Sequence, residues 1–386
     1  MKRLISTSLY LIILLVCVGC QWSNESGNDL IIVDVTINYP KKELILQDFM
    51  DVEYIPLETN DKFVCGGLVM ACGSKYLVVR NRNSDGNIYI FDRSGKGISK
   101  INCKGNSGEE YVYIHNILLD EEREEIFVND MSKKKILVYD LAGNFQRDIM
   151  YRDDVKYSNI VNLDTDNFIC WNSSFEGNLY AIEASSFYVV SKSDGTILKE
   201  IDISKEKRTR TALLSYDEKT KLTSGIFNTP NTIHCFRNRV LLNEPSSDTI
   251  YWYSLKEGLK PYIVRIPSIH TMNPEVFLYS EILTDKYEFM RTYEKTLNGG
   301  ETDLVYDKQQ KAVFRYVLYN DNYTNKKRMG MRGTNVNDEI AFYESLESFD
   351  LIKAYEKNIL KGELKKIASK LNEEDNPVIM LIKHKK

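Results

Sequence analysis

The amino-acid sequence predicts an all-β chain, a six-bladed β-propeller whose closing blade is shared by its N- and C-terminal segments, with one C-terminal helix. Three observations predict it. A strand–turn–strand unit occurs five times, the units return at a nearly regular interval, and strand-like segments are left over at both ends of the chain. A recurrence of that kind at about 50 residues is the mark of a propeller, each copy being the outer hairpin of one blade.

The first unit is residues 87–105, NIYIFDRSGKGISKINCKG, in which two alternating runs flank the polar turn Asp92-Arg93-Ser94-Gly95-Lys96. It returns from Lys135 (KILVYDLAGNFQRDIMY), Ser186 (SFYVVSKSDGTILKEIDI), Asp248 (DTIYWYSLKEGLKPYIVRI) and Thr302 (TDLVYDKQQKAVFRYVLY). Measured between the residues that open each first strand, Ile88, Ile136, Phe187, Ile250 and Leu304, the steps are 48, 51, 63 and 54 residues. Before each hairpin lies an inner strand pair: 68–71 with 76–80, 116–119 with 125–129, 160–163 with 167–171, and 232–235 with 239–243. Short polar turns join the strands of each pair, as tight hairpins require. Residues 276–293, divided at Thr284-Asp285-Lys286, supply the fifth pair.

The ends account for the sixth blade. Residues 30–35 and 52–56 are strand candidates, and 41–49 are indecisive. Residues 340–346 and 377–382 are strands from the other end, and strands from residues 29–56 are expected to complete their blade. Residues 348–371 carry Ile352, Tyr355, Ile359, Leu364, Ile367 and Leu371 at helical spacing, with Gly362 interrupting them. The long step holds an insertion at 204–224 with the run Lys205-Glu206-Lys207-Arg208-Thr209-Arg210. A solvated excursion is preferred there over a binding loop.

Residues 1–19 read as a lipoprotein signal peptide. Lys2 and Arg3 precede a short apolar run, and Cys17-Val18-Gly19 sets a small residue before Cys20, the expected lipidation site. The alternatives are ordinary cleavage or an uncleaved anchor. Residues 20–28 then form a tether, and residues 29–386 the propeller domain. Without Lys2 and Arg3, 51 basic residues become 49 against 55 acidic ones, a net of −6. That balance argues against nucleic acid or an anionic membrane surface as main partner. Any contact with the membrane is expected through the lipid anchor only. Five further cysteines, Cys65, Cys72, Cys103, Cys170 and Cys235, are an odd number and read as buried thiols rather than as a disulfide set.

The chain resembles the six-bladed β-propeller lipoproteins of Bacteroides and its relatives, which are NHL-repeat-like and uncharacterised in function. The residues that carry the likeness are DVEYIPLET from Asp51, IFDRSGK from Ile90, GNSGEEY from Gly105, EIFVND from Glu125, ILVYD from Ile136 and NPVIM from Asn376. Asn106-Ser107 departs from the family's Gly-x-Gly-Pro-Gly-Glu-Tyr form. The resemblance implies a cell-envelope location and this architecture, and no reaction.

A propeller binds over its central channel, on the face whose loops enter the first strand and join the second to the third. The ligand-binding candidates there are Arg80, Asn81, Glu110, Tyr111, His115, Asn129, Asp130, Trp171, Asn172 and Asn243. Asn recurs at the second-to-third junction (Asn81, Asn129, Asn172, Asn243), where turn chemistry competes with a ring of ligand-facing amides. His115, beside Tyr111 and Tyr113, is a candidate acid, base or ligand, with simple packing the blander explanation. Asp164-x-Asp166-Asn167 resembles a calcium-loop start but lacks the remaining ligands. No catalytic residue, metal or cofactor is assigned, because no nucleophile elbow, phosphate loop or His-Glu-x-x-His helix occurs. Two functions follow. The preferred one is a non-catalytic binding or scaffold module for an envelope protein, peptide or glycan. The alternative is a hydrolase or lyase acting on polysaccharide or peptide at the channel.

Overall fold

Strand side chains alternate between two faces, and in this chain both faces of the central strands are apolar, so each sheet must be covered on both sides. In the first blade Leu77, Val79, Tyr89 and Phe91 point one way, while Val78, Ile88 and Ile90 point the other. A ring of radially arranged sheets satisfies that demand. The structure, a computed structural model, describes residues 30–177, 185–203, 208–226, 231–237 and 239–385. The predicted signal peptide and tether, with Cys20, lie outside the described residues.

Six blades surround the axis. Blade 1 is Leu68–Cys72, Tyr76–Arg80, Ile88–Asp92 and Gly97–Ile101; blade 2 is Asn116–Asp120, Glu125–Asp130, Lys135–Asp140 and Phe145–Met150. Blade 3 is Tyr157–Asn162, Asn167–Asn172, Phe187–Ser191 and Ile197–Ile201. Blade 4 is Ile233–Phe236, Arg239–Leu242, Thr249–Ser254 and Gly258–Ile266; blade 5 is Val276–Leu283, Tyr287–Glu294, Glu301–Asp307 and Ala312–Asn320. Blade 6 is Ile340–Leu346, Val378–His384 and Met50–Pro56. Six apolar clusters, one per seam, close the ring.

The closing blade differs in part from the expectation. Of the N-terminal strands only Met50–Pro56 joins it, antiparallel to Val378–His384 from Val378↔Pro56 to His384↔Met50. Ile31–Asp34 instead adds a parallel fifth strand to blade 4, and Lys41–Ile45 does the same for blade 5. The reason is chain path: before reaching blade 6 the N-terminal segment wraps the rim, burying Ile31 and Val33 against blade 4 and Leu44 against blade 5.

The innermost position of blade 6 is also unusual. Val336 N–H donates to Ile340 O, and Ile340 N–H to Asn337 Oδ1. The turn between the first two strands of blade 3 has the same pattern, Leu163 N–H to Asn167 O and Asn167 N–H to Asp164 Oδ1. Residues 337–339 are thus the first turn of blade 6, and Ile340–Leu346 is its second strand by position. The stretch before it replaces ladder pairing with individual bonds. Gly333 N–H donates to Glu281 Oε2, Thr334 Oγ1–H to Ile233 O, and Asn335 exchanges two bonds with the backbone of Leu283.

The predicted C-terminal helix is two short ones, Ser348–Glu356 and Gly362–Ala368, broken where Asn358 and Gly362 take positive φ. Because they join the second and third strands of blade 6, they lie on the loop face, packing Leu351, Ala354, Leu364 and Ala368 into the seam with blade 5. Between blades 3 and 4 the insertion forms a hairpin, Leu213–Asp217 with Leu222–Ile226; Lys205-Glu206-Lys207 lie outside the described residues.

Candidate functional site

Most of the predicted ligand residues turn inward. Asp130 is fully buried and accepts backbone N–H groups of Val112 (2.7 Å), Tyr113 (3.3 Å), Ser132 (2.9 Å) and Lys133 (3.2 Å), which pins two loops of blade 2 together. Asn129, also buried, donates to Tyr157 O and accepts from the Tyr151 hydroxyl. Asn172 accepts N–H bonds from Lys156 and Ser174 and donates to Ser185 O. Tyr111 is buried, donating to Gly86 O (2.6 Å) and accepting from Cys103 N–H. Asn81 accepts Gly66 N–H and donates to Asp85. Asn243 is 1% exposed, so its amide faces the interior. At Asn81, Asn129 and Asn172 the repeated Asn is turn chemistry in three dimensions, its carbonyl or amide tying a second-strand end to a neighbouring loop, whereas the buried Asn243 Nδ2 makes no such bond.

Trp171 Nε1–H donates to Glu244 Oε2 (3.2 Å), and both residues are buried. Burial, outweighing the nearby Arg208 guanidinium and the Trp171 bond, raises the Glu244 pKa. Arg208 and Arg210 both lie over the Phe175 ring, at 5.7 and 5.9 Å from its centroid. Among the described residues of the insertion, Arg208 and Arg210 therefore pack against the body.

Arg80, Glu110 and His115 remain accessible in part. Arg80 lines a shallow depression with Asp85, Asn87, Lys104 and Tyr113. Glu110 accepts Ser107 N–H, a bond that lowers its pKa. His115 is exposed, with Nε2 3.0 Å from Ser158 O; desolvation, reinforced by Lys156 and Arg80, lowers its pKa. His234 sits wholly inside blade 4, where desolvation lowers its pKa to about 4. The structure thus gives the two histidines different settings and does not bring them to one pocket.

A larger pocket, about 360 Å³, opens on the same face between the helical insertion and the crossing from blade 5 to blade 6. Glu344, Glu347 and Asp350 line it, with Lys327 and Tyr323. Among the described residues no side chain hydrogen-bonds or pairs with those three carboxylates. Tyr323 is buried, its ring 5.0 Å from Lys327 Nζ, and desolvation followed by the fields of Tyr54, Glu344 and Asp350 raises its pKa. Leu351, Ala354 and Ile359 supply an apolar wall. Glu347 and Asp350 stand at the N-terminal end of a helix, where negative charge is favoured. Sequence reasoning missed this site. The three-residue spacing of Glu344, Glu347 and Asp350 was visible, but nothing in it tells a strand end from a helix start.

Among the described residues no helix is long and apolar enough to cross a membrane. A family model, "Domain of unknown function (DUF4934)", matches residues 30–383. No curated protein matches. Among solved structures, a protein of Bacteroides fragilis NCTC 9343 named as exported is similar at 16% identity and a TM-score of 0.60, covering 90% of this chain and 100% of that one. A DUF4221 family member of Bacteroides vulgatus is 9% identical with a TM-score of 0.46, over 87% of this chain and 97% of its own. The first likeness carries the fold.

Proposed function

The chain belongs to the DUF4934 family, and for this member we propose a non-catalytic binding role: a lipid-anchored cell-envelope propeller that takes a protein, peptide or glycan on its loop face. The observation that carries this reading is the pocket bounded by Glu344, Glu347, Asp350 and Tyr323. Carboxylates without a side-chain partner among the described residues, beside an apolar wall, suit a cationic group on an aliphatic stem, such as a Lys or Arg side chain of a peptide, or the ammonium of an amino sugar. The same face carries exposed Val64, Val112, Tyr113, Leu297, Phe349 and Tyr355, apolar contacts around which a larger partner can settle. Arg80, Glu110 and His115 are the further candidates there.

The test is a pull-down from the native envelope paired with a glycan array, followed by titration of any hit against Glu344→Gln/Glu347→Gln/Asp350→Asn. Retention of a cationic peptide or glycan, weakened at least tenfold by the triple variant and by added salt, is the expected result. Enrichment of nothing in both assays overturns it. Cleavage of a retained glycan or peptide would instead install the hydrolase or lyase alternative, for which the same carboxylates are the available acids and bases.

A further inference from the structure

The first described strand leaves an apolar face open beside the predicted anchor. Ile31 and Val33 point into the seam between blades 4 and 5, 3% and 0% exposed, so the alternating residues must point away from it. Those are Leu30 and Ile32, 46% and 57% exposed. The parallel register sets Ile32 beside Val264 and Asp34 beside Ile266, which is 42% exposed. Ile37 follows on the turn after the strand, 52% exposed. Five aliphatic residues, counting the half-buried Val264, thus share one outer edge of blade 4. An open apolar edge strand is a liability that soluble chains blunt with charge or cover.

What covers it is indicated by where the chain goes. Nine residues lie between Cys20 and Leu30, and the ten residue steps reach at most about 35 Å when fully extended and about 17 Å as a flexible coil. A lipid on Cys20 therefore holds this edge, more than any other part of the body, within reach of the bilayer. We propose that the outer edge of blade 4, Leu30, Ile32, Ile37 and Ile266, docks on the lipid surface beside the anchor. The contact is apolar, so it does not call for the basic patch that the net charge of −6 without Lys2 and Arg3 disfavours. The inference rests on the lipid anchor of the proposed function and extends it from a tether to an oriented body.

The experiment uses the full-length lipidated protein in vesicles of phosphatidylethanolamine and phosphatidylglycerol, with Cys20→Ala protein in solution as reference. Vesicle flotation reports the anchor; carbene footprinting reports side-chain access. Flotation with a fall of threefold or more in labelling of Ile32, Ile37 and Ile266, and unchanged labelling of Leu297, is the expected result. Ile32→Glu/Ile37→Glu should still float while Ile266 regains its solution labelling. Flotation with unaltered labelling overturns the docking and leaves the anchor standing. Absence of flotation removes the anchor, and the docking with it. A reference protein that is dimeric and already protected at these residues assigns the edge to a second copy instead, and also overturns the proposal.

Discussion

Blade 2 and blade 6 solve the same packing problem with opposite chain economies. Blade 2 is built from one continuous run, each strand pairing with its sequence neighbour from Asn116 to Met150. Blade 6 takes one strand from Met50–Pro56 and two from beyond Ile340, with an irregular innermost stretch. Local hairpins close small loops at little entropic cost, whereas blade 6 must bring the chain ends together over more than 300 residues. It is correspondingly tied by side chains. Asn376 alone accepts Cys65 N–H (2.8 Å) and donates to Glu58 O (2.7 Å) and Phe63 O (2.9 Å). On the opposite face Arg93 and Lys383 both pair with Glu53 and Glu339, joining blade 1 to both termini. Gly95, at φ +87 in the turn of the first hairpin, has Pro56 O where a side chain would stand. Closure is held by specific contacts between distant segments, and blade 2 by ladder pairing of sequence neighbours together with ion pairs such as Lys135–Asp148 and Arg147–Glu125.

Predictions follow that contrast. The largest effect is expected where a contiguous seam buries charge: Lys192 Nζ and Asp120 Oδ2 pair at 3.0 Å, with side chains 2% and 7% exposed. Lys192→Met strands the carboxylate and should cost about 3–5 kcal/mol in chemical denaturation; a loss below about 1 kcal/mol would show that this seam tolerates an unpaired charge. Next comes Asn376→Ala, which removes three bonds, leaves Cys65 N–H and Glu58 O unpaired, and should cost about 2–4 kcal/mol. If it costs less than Arg93→Met, the closure does not depend on this amide. Glu288 in blade 5 is fully buried between Ser280 Oγ and Tyr262 OH, near Lys308, and burial raises its pKa from 4.5 to about 7. The folded state therefore holds its proton more tightly than the unfolded one. The resulting stability is full below about pH 4.5 and is lost as pH rises to about 7. Glu288→Gln should flatten that fall by about 1–2 kcal/mol; an unchanged slope between pH 5 and 8 would assign it to other groups. The smallest effect is expected at the partly exposed Arg93–Glu53–Lys383–Glu339 set. Lys383→Met should cost about 0.5 kcal/mol and less in high salt.

The fold was legible at the hairpins because their determinants are local. Alternation at Ile88–Asp92, the glycine at Gly95 and the Asn and Asp turns need no distant partner. The placement of Ile31–Asp34 and Lys41–Ile45 was not legible. Alternation predicts a strand at 30–35 and is indecisive at 41–49, and an edge is chosen by the path of the chain around the rim. The candidate site divides in the same way. Asn129, Asp130 and Asn172 are singled out because polar residues at strand ends stand out in a sequence, whereas the inward bonds that occupy them are invisible there.

The repeat by itself determined that this protein is a propeller, how its five contiguous blades are cut, and that its termini meet. Local pairing energy suffices for each of those. Tertiary structure alone decided which rim strand pads which blade, that the helices stand on the loop face, and that Glu344, Glu347 and Asp350 share a pocket. Those facts depend on contacts between segments tens to hundreds of residues apart, and no local pattern of side chains encodes which distant surface will be presented to them.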